Sequence, residues 1–451
     1  MRTYNSRHAT LRKIVAVTLT AAMVGMPAAA WSQTAKEQEL EARIAELEKL
    51  VQQLAAEKKA APAPAAAPAA APAAKPIQAS TITPNAAPGT TFVVTGFVKA
   101  DAIWTDTSDG ELADSSIGRD FYVPSTIPIG APQNEEGTDL NAHIKQSRFN
   151  FGTDTVLEGG GKVSTRFEID FFGRADGDQR ISNGYDPVVR HAYVTWGNWL
   201  VGQTWSNFMD VATLPEAVDF IGPTDGTTFV RQPQVRYTTG GFSLSAENRE
   251  TTILPYDVNG AVLATGRIVS DDGYAPDLTA RYAWKGDWGH VALAGLLREL
   301  THETATIDDS TWAGSLSLSG KFNFGKDDIR WMALYGNLGR YVGLNFATDA
   351  ILDANGNLDS LDGYAGFIAY RHMWTGKLRS TFTYSLQEYD NESILGNSTA
   401  NKSSSSWNVN LFYSPIPKLD IGAEYRQATA ERENGDDGDL DRLQLTTKYS
   451  F

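Results

Sequence analysis

At 451 residues, with no cysteine and a formal net charge of −15, the chain is long enough for a large body, has no disulfide or thiolate chemistry, and lacks the basic surface that nucleic acid requires. Hydrophobic residues make up 42% of it, yet its mean hydropathy is slightly negative. No apolar run of helical-span length follows the first 30 or so residues, which excludes a polytopic helical membrane protein. A membrane barrel stays open, because its strands alternate apolar with polar side chains.

Residues 1–32 read as a secretory signal peptide. Arg2, Arg7, Arg12 and Lys13 form its basic start, Ile14 to Met26 its apolar stretch, and Ala28-Ala29-Ala30 its small-residue cleavage region. A retained membrane anchor is the competing reading. Residues 33–57 carry Leu40, Ile44, Leu47, Val51 and Leu54 at alternating spacings of four and three, the seam of a short coiled-coil helix. Too short to stand alone in water, this helix needs an oligomer or another partner; the competing reading is a solvated helix with one apolar stripe. Its a and d residues favour two strands over three. Residues 58–90 form an Ala/Pro linker, in which Pro62, Pro64, Pro68 and Pro72 favour an extended, semi-rigid spacer.

Residues 91–451 change pattern to segments of about ten residues with period-2 alternation. Val163, Thr165, Phe167 and Ile169 face one way, while Ser164, Arg166, Glu168 and Asp170 face the other. Leu278, Ala280, Tyr282 and Trp284 oppose Thr279 and Arg281, and Phe382, Tyr384 and Leu386 oppose Thr381 and Thr383. Tight turns such as Gly197-Asn198, Gly240-Gly241 and Gly325-Lys326-Asp327 alternate with long polar loops such as Thr105 to Asn141, Thr251 to Tyr274 and Leu338 to Ser360. Short turns at one rim and long loops at the other mark a transmembrane barrel. Aromatics at segment ends (Trp196, Trp199, Trp284, Trp288, Tyr413, Tyr449) suit interfacial girdles. The last segment alternates Leu443, Leu445, Thr447 and Tyr449 with Arg442, Gln444, Thr446 and Lys448, and reaches an aromatic, Phe451. The expected fold is all-β: a transmembrane antiparallel β-barrel of about 16 strands, with coiled-coil helix and linker on the periplasmic side of the outer membrane.

Four stretches carry a resemblance: Thr95 to Asp101 (TGFVKAD), Ser147 to Phe151 (SRFNF), Gly202 to Met209 (GQTWSNFM) and Arg231 to Tyr237 (RQPQVRY). In this order, after a signal, a coiled coil and a linker, they resemble the DcaP-like outer-membrane porins over essentially the whole chain. The resemblance implies a homotrimeric general-diffusion porin with small anionic solutes such as dicarboxylates as its cargo. It also implies that the third long loop, Asn207 to Gln232, folds inward as a constriction.

A pore needs a field instead of catalytic groups, so selectivity should follow lumen charge. The polar phase places Lys99, Arg148, Arg166, Arg190, Arg236, Arg249 and Arg281 on the lumen side, with Arg330, Arg379, Arg426 and Arg442, against fewer acids such as Glu168. Arginine stays charged and binds carboxylates bidentately. The bland role is pairing with wall acids, as Arg166 would do with Glu168 or Asp170. In the constriction loop, Asp210, Glu216 and Asp219 stand against Arg231 and argue the other way unless they face the wall. Most other acids fall in loops, including Glu431 to Asp441. Asp353, Asn355, Asn357 and Asp359 mimic a calcium loop, but Leu358 occupies the turn position that needs glycine, so a polar turn is expected, with no metal and no cofactor. An enzyme is not expected, since no Ser/His/Asp arrangement stands out. Outer-membrane lipid surrounds the barrel. The remaining alternatives are an envelope tether, in which the coiled coil contacts the periplasm or cell wall, and a more substrate-specific channel.

Overall fold

Described in a computed structural model are Lys49 and residues 89–114, 116–130, 138–173, 177–178 and 183–451. The expected signal, the coiled-coil residues Leu40, Ile44, Leu47, Val51 and Leu54, and the Ala/Pro linker lie outside them. From Thr90 onward the alternating segments become strands β1 (Thr90–Thr107), β2 (Asp139–His143 with Arg148–Val156), β3 (Lys162–Asp170), β4 (Val188–Trp196) and β5 (Trp199–Trp205). Next come β6 (Arg231–Thr239), β7 (Phe242–Glu247), β8 (Asp277–Gly286), β9 (Gly289–Glu303), β10 (Asp308–Phe324) and β11 (Asp327–Gly336). The circle is completed by β12 (Gly363–Met373), β13 (Leu378–Tyr389), β14 (Asn401–Tyr413), β15 (Leu419–Arg432) and β16 (Asp437–Ser450). β2 is one strand in two pieces, the first pairing with Asp101 to Thr105 of β1 and the second with Thr90 to Phe97. β16 closes on β1 from Phe97↔Ser450 to Thr107↔Leu440, so every neighbour is antiparallel and the sheet has no open edge.

Alternation sets the two faces. On β13, Phe382 and Tyr384 are exposed outward while Thr381, Thr383, Ser385 and Gln387 are buried inward. Exposed Trp196, Trp199, Trp284, Trp288, Trp374 and Tyr449 mark the short-turn rim, and Trp312, Tyr335 and Tyr364 stand toward the other, with Val, Leu and Ile between. Loops at the second rim are here numbered L1 (108–138), L2 (171–187), L3 (206–230), L4 (248–276), L5 (304–307), L6 (337–362), L7 (390–400) and L8 (433–436).

Three details depart from the sequence expectation. L5 and L8 are four-residue turns, so long loops do not alternate with short ones throughout; β9 and β10 instead run to 15 and 17 residues. Of the acids from Glu431 to Asp441, Glu433 and Asp436 alone therefore lie in a loop: Glu431 is near the end of β15, while Asp437, Asp439 and Asp441 belong to β16. Nor is the lumen merely wet, because Arg298, Arg426 and Arg442 are among the most buried side chains of the protein. Loops fill it. L4 and L6 join in a four-stranded sheet through the parallel pair Ile253↔Ala350, and its apolar face (Ile253, Ala350, Leu352, Leu358) packs on Leu300 and Ala313 of the barrel wall. Inward small residues at Ala313 and its neighbours leave the room this needs.

Candidate functional site: the lumen and its inward loop

β5 to β7 are the short part of the wall, at 7, 9 and 6 residues, and L3 turns into the lumen where β5 ends. Its path is pinned at successive strands. Asn207 N donates to Glu247 at 2.8 Å, and Arg281 donates to the Met209 carbonyl at 2.9 Å. Asp210 meets His290 at 2.7 Å and Ser319 at 3.0 Å. Arg330 donates to the Leu214 carbonyl, and Glu216 takes a bidentate pair from Arg379 at 2.6 and 2.7 Å. Val218 donates to Glu424 at 2.8 Å while its carbonyl accepts from Lys99 at 2.8 Å. Asp219 accepts from Tyr122 N of L1 at 2.9 Å and from the backbone of its own turn. Finally Asp225 accepts from Tyr122 Oη, Ser385, Ser404 and Ser406 at 2.5–2.9 Å.

The acids of L3 thus spend themselves on the wall and on L1. A buried carboxylate that accepts from several donors serves as an anchor, whereas one left without partners would cost several kcal/mol. Closest of all is the approach at Gly226, where a Cβ would lie 2.0 Å from the Gly366 carbonyl oxygen of β12. Gly226→Ala is expected to force L3 off the wall and change single-channel conductance, with the barrel's heat-resistant gel mobility retained. Unchanged conductance would show that this contact does not hold the loop.

The expected lumen bases separate into distinct settings. Arg148 pairs with Glu168 at 3.2 Å and Asp170 at 2.6 Å, and Arg190 with Asp170 at 2.6 Å. Arg190 faces inward beside His191 because a bulge opposite Glu168 and Ile169 shifts the register. Lys99 contacts Asp101 at 2.9 Å. Arg166 bonds not to Glu168 or Asp170 but to Asp154, at 3.0 Å. These two sit diagonally across the β2–β3 ladder, where Asp154 opposes Ser164 and Gly152 opposes Arg166, within reach of a long side chain, while Glu168 and Asp170 are taken by Arg148. Arg231 is the first residue of β6 and not part of the loop; its guanidinium stacks 3.4 Å from the Trp205 ring centre.

Arg249 is a correction. It bonds Glu299 at 3.0 Å and Thr301 at 2.8 Å, whose ladder partners are Trp312 and Ser310. Trp312 is exposed on the outward face, so Arg249 belongs to the outer rim and lines no lumen. β7 ends at Glu247, after which alternation no longer fixes which way a side chain points.

Between L3 and the short-turn rim lies a cavity of about 730 Å³. Arg236, Arg281, Lys285, His290 and Lys321 line it, and Asp210 is the one carboxylate among its lining residues. Nearby at the same rim, Lys321, Arg330 and Arg371 converge on a single acid, Asp328, and Arg379 and Lys448 share Asp420. Lys321, His290, Arg371 and Lys448 were not singled out from the sequence, although each continues the inward parity of its strand. No cluster of three potential metal-ligating side chains occurs among the described residues, and Asp353 Oδ1 simply accepts the backbone N–H groups of Asn355 and Asn357.

The family model of the DcaP outer membrane protein matches residues 42–451. The chain belongs to the DcaP outer membrane protein family. No curated protein matches it in sequence. Among solved structures it is similar to the outer membrane channel DcaP of Acinetobacter baumannii, at 24% identity and a TM-score of 0.65, over 80% of this chain and 98% of that one. It is also similar to Salmonella typhi OmpF in complex with daunomycin, at 11% identity and a TM-score of 0.51, over 80% and 98%. Both likenesses are of fold. This member of the DcaP family is an outer-membrane protein with the barrel of a porin-like channel, and its exposed apolar band is the lipid-facing surface.

Proposed function

We propose that the protein is a passive outer-membrane porin for small hydrophilic solutes, favouring anions such as dicarboxylates and working as a homotrimer. The observation that carries this reading is the charge of the cavity below L3. Four cations line it, of which Lys321 also pairs with Asp328, and its one carboxylate is already bonded to His290 and Ser319. In a cavity with low-dielectric walls such an imbalance concentrates counter-ions of the opposite sign. Arg236 and Arg281 have no carboxylate within bonding distance among the described residues; they donate to Gln234 and to the Trp205 and Met209 carbonyls. Their charge is therefore available to a passing anion, unlike that of Arg148 or Arg190.

The test is the zero-current potential of reconstituted channels across a KCl gradient. Chloride selectivity is expected, reduced in Arg236→Gln/Arg281→Gln and barely altered in Arg249→Gln, whose charge sits outside. Potassium selectivity in the unmodified protein would overturn the anion preference and leave the channel standing. The periplasmic role of the coiled coil belongs to the same proposal: deleting residues 33–80 should leave conductance intact, and loss of envelope integrity alone would favour a tether.

A further inference from the structure

A second cavity, of about 410 Å³, lies at the long-loop end, among L1, L3, L6 and the ends of β4 to β6. One part of its wall is apolar, with Phe121 and Val123 from L1, Phe220 and Phe229 from L3, and Leu344 from L6, while Ser125, Thr126 and Gln203 add neutral polar groups. The aromatic rings form one connected cluster, Phe121 to Phe220 at 5.1 Å and Phe220 to Phe229 at 5.5 Å. Two guanidiniums, Arg190 and Arg231, interrupt this wall.

They are not equivalent. Arg190 is engaged by Asp170 at 2.6 Å and by the Phe172 carbonyl at 2.7 Å. Arg231 has no carboxylate within ion-pair distance among the described residues, and its Nε and Nη2 are buried without a hydrogen-bond partner. Among the described residues, the carboxylates acting on Arg148, Arg190 and Arg231 are Glu168 and Asp170, both of which Arg148 and Arg190 already use. The unmatched positive charge is that of Arg231. Stacking on Trp205 fixes the guanidinium plane, and a buried, unpaired cation is costly unless something answers it.

We infer that this cavity binds a molecule with one carboxylate and an apolar body, the carboxylate on Arg231 and the body among Phe121, Phe220, Phe229 and Leu344. The volume falls in the range of small-molecule sites, roughly 300–1,000 Å³. A second carboxylate on the ligand would find no free cation, since Arg190 is already held by Asp170 and the other polar lining groups, Ser125, Thr126 and Gln203, are neutral. The site stands independently of the ion preference of the pore, because its charge and cavity are separate from those below L3.

The test is isothermal titration of the intact folded protein in non-ionic detergent, with empty micelles as blank, using octanoate and suberate. These share a chain length and differ by one carboxylate. Saturable octanoate binding is expected, with suberate at least about tenfold weaker, since burying an unanswered charged group is penalised. Arg231→Gln should weaken octanoate by about tenfold or more, the usual worth of a charged hydrogen bond. Arg231 holds no wall acid, so its loss leaves no carboxylate stranded. A second pair guards against misfolding: Leu344 has a positive φ of 54°, which Asn and Asp tolerate better than Leu. Leu344→Asn should retain binding, and Leu344→Asp should abolish it by repulsion. Unsaturable octanoate, equal affinity for suberate, or equal affinity in Arg231→Gln or in both Leu344 variants would overturn the proposal.

Discussion

Replacing Asp349 with alanine is expected to destabilise the folded barrel by roughly 3–5 kcal/mol, the usual cost of stranding one partner of a buried ion pair. Asp349 belongs to L6 and is fully buried. Arg298 of β9 donates to it at 2.6 Å, Thr252 of L4 donates its N–H at 2.8 Å and its hydroxyl at 2.9 Å, and the Arg340 N–H adds 3.0 Å. Arg298 also reaches Asp277 at 3.2 Å, Asn337 at 3.1 Å and the Glu250 carbonyl at 2.6 Å. One carboxylate therefore joins L4, L6 and the wall. Denaturant unfolding in detergent is the measurement; a loss below about 1 kcal/mol, the level of an exposed pair, would show that the network is not what holds these loops. Burial by itself would raise the Asp349 pKa, but Arg298 and the backbone donors outweigh it and hold the carboxyl below its ordinary value. A depressed folded pKa gives stability that is fully present above the ordinary carboxylate range and lost as pH falls through the folded value. The deficit of Asp349→Ala against the unmodified protein should accordingly shrink on acidification below that range.

The second large effect is expected at Asp225. This buried carboxylate accepts from four hydroxyls, those of Tyr122, Ser385, Ser404 and Ser406. Asp225→Ala removes the acceptor and leaves the hydroxyls to water, a loss of roughly 2–4 kcal/mol of loop anchoring once the loop relaxes. Because L3 crosses the lumen here, the loss should appear as higher single-channel conductance with a noisier open current, and as faster proteolysis within residues 206–230. Asp225→Asn, which keeps one acceptor oxygen, should fall between. Conductance indistinguishable from the unmodified channel would mean that Glu216 and Val218 suffice to hold the loop.

The alternation of Ser164, Arg166 and Glu168 against Val163, Thr165 and Phe167 was legible without coordinates, because side-chain direction in a strand is a local property with period two. The same rule put Lys99, Arg148, Arg236 and Arg281 inside. It fails where the local period breaks, at Arg249 past the end of β7, and at L8, where a run of acids reads as a loop although the strands extend through most of it. Pairing partners were beyond it altogether. Glu216 meets Arg379 across 163 residues and Asp225 meets Ser406 across 181.

By itself the sequence determined a closed antiparallel barrel, its outward apolar face, its aromatic rim and its place in the DcaP family, since each follows from periodicity or from short contiguous motifs. Only the tertiary structure decided that L3's acids face the wall, that Arg298 and Asp349 lock two loops together, and that Arg231 meets no carboxylate among the described residues. Those outcomes depend on which distant segments meet inside the closed barrel. That is fixed by closure and packing, which no run of neighbouring residues encodes.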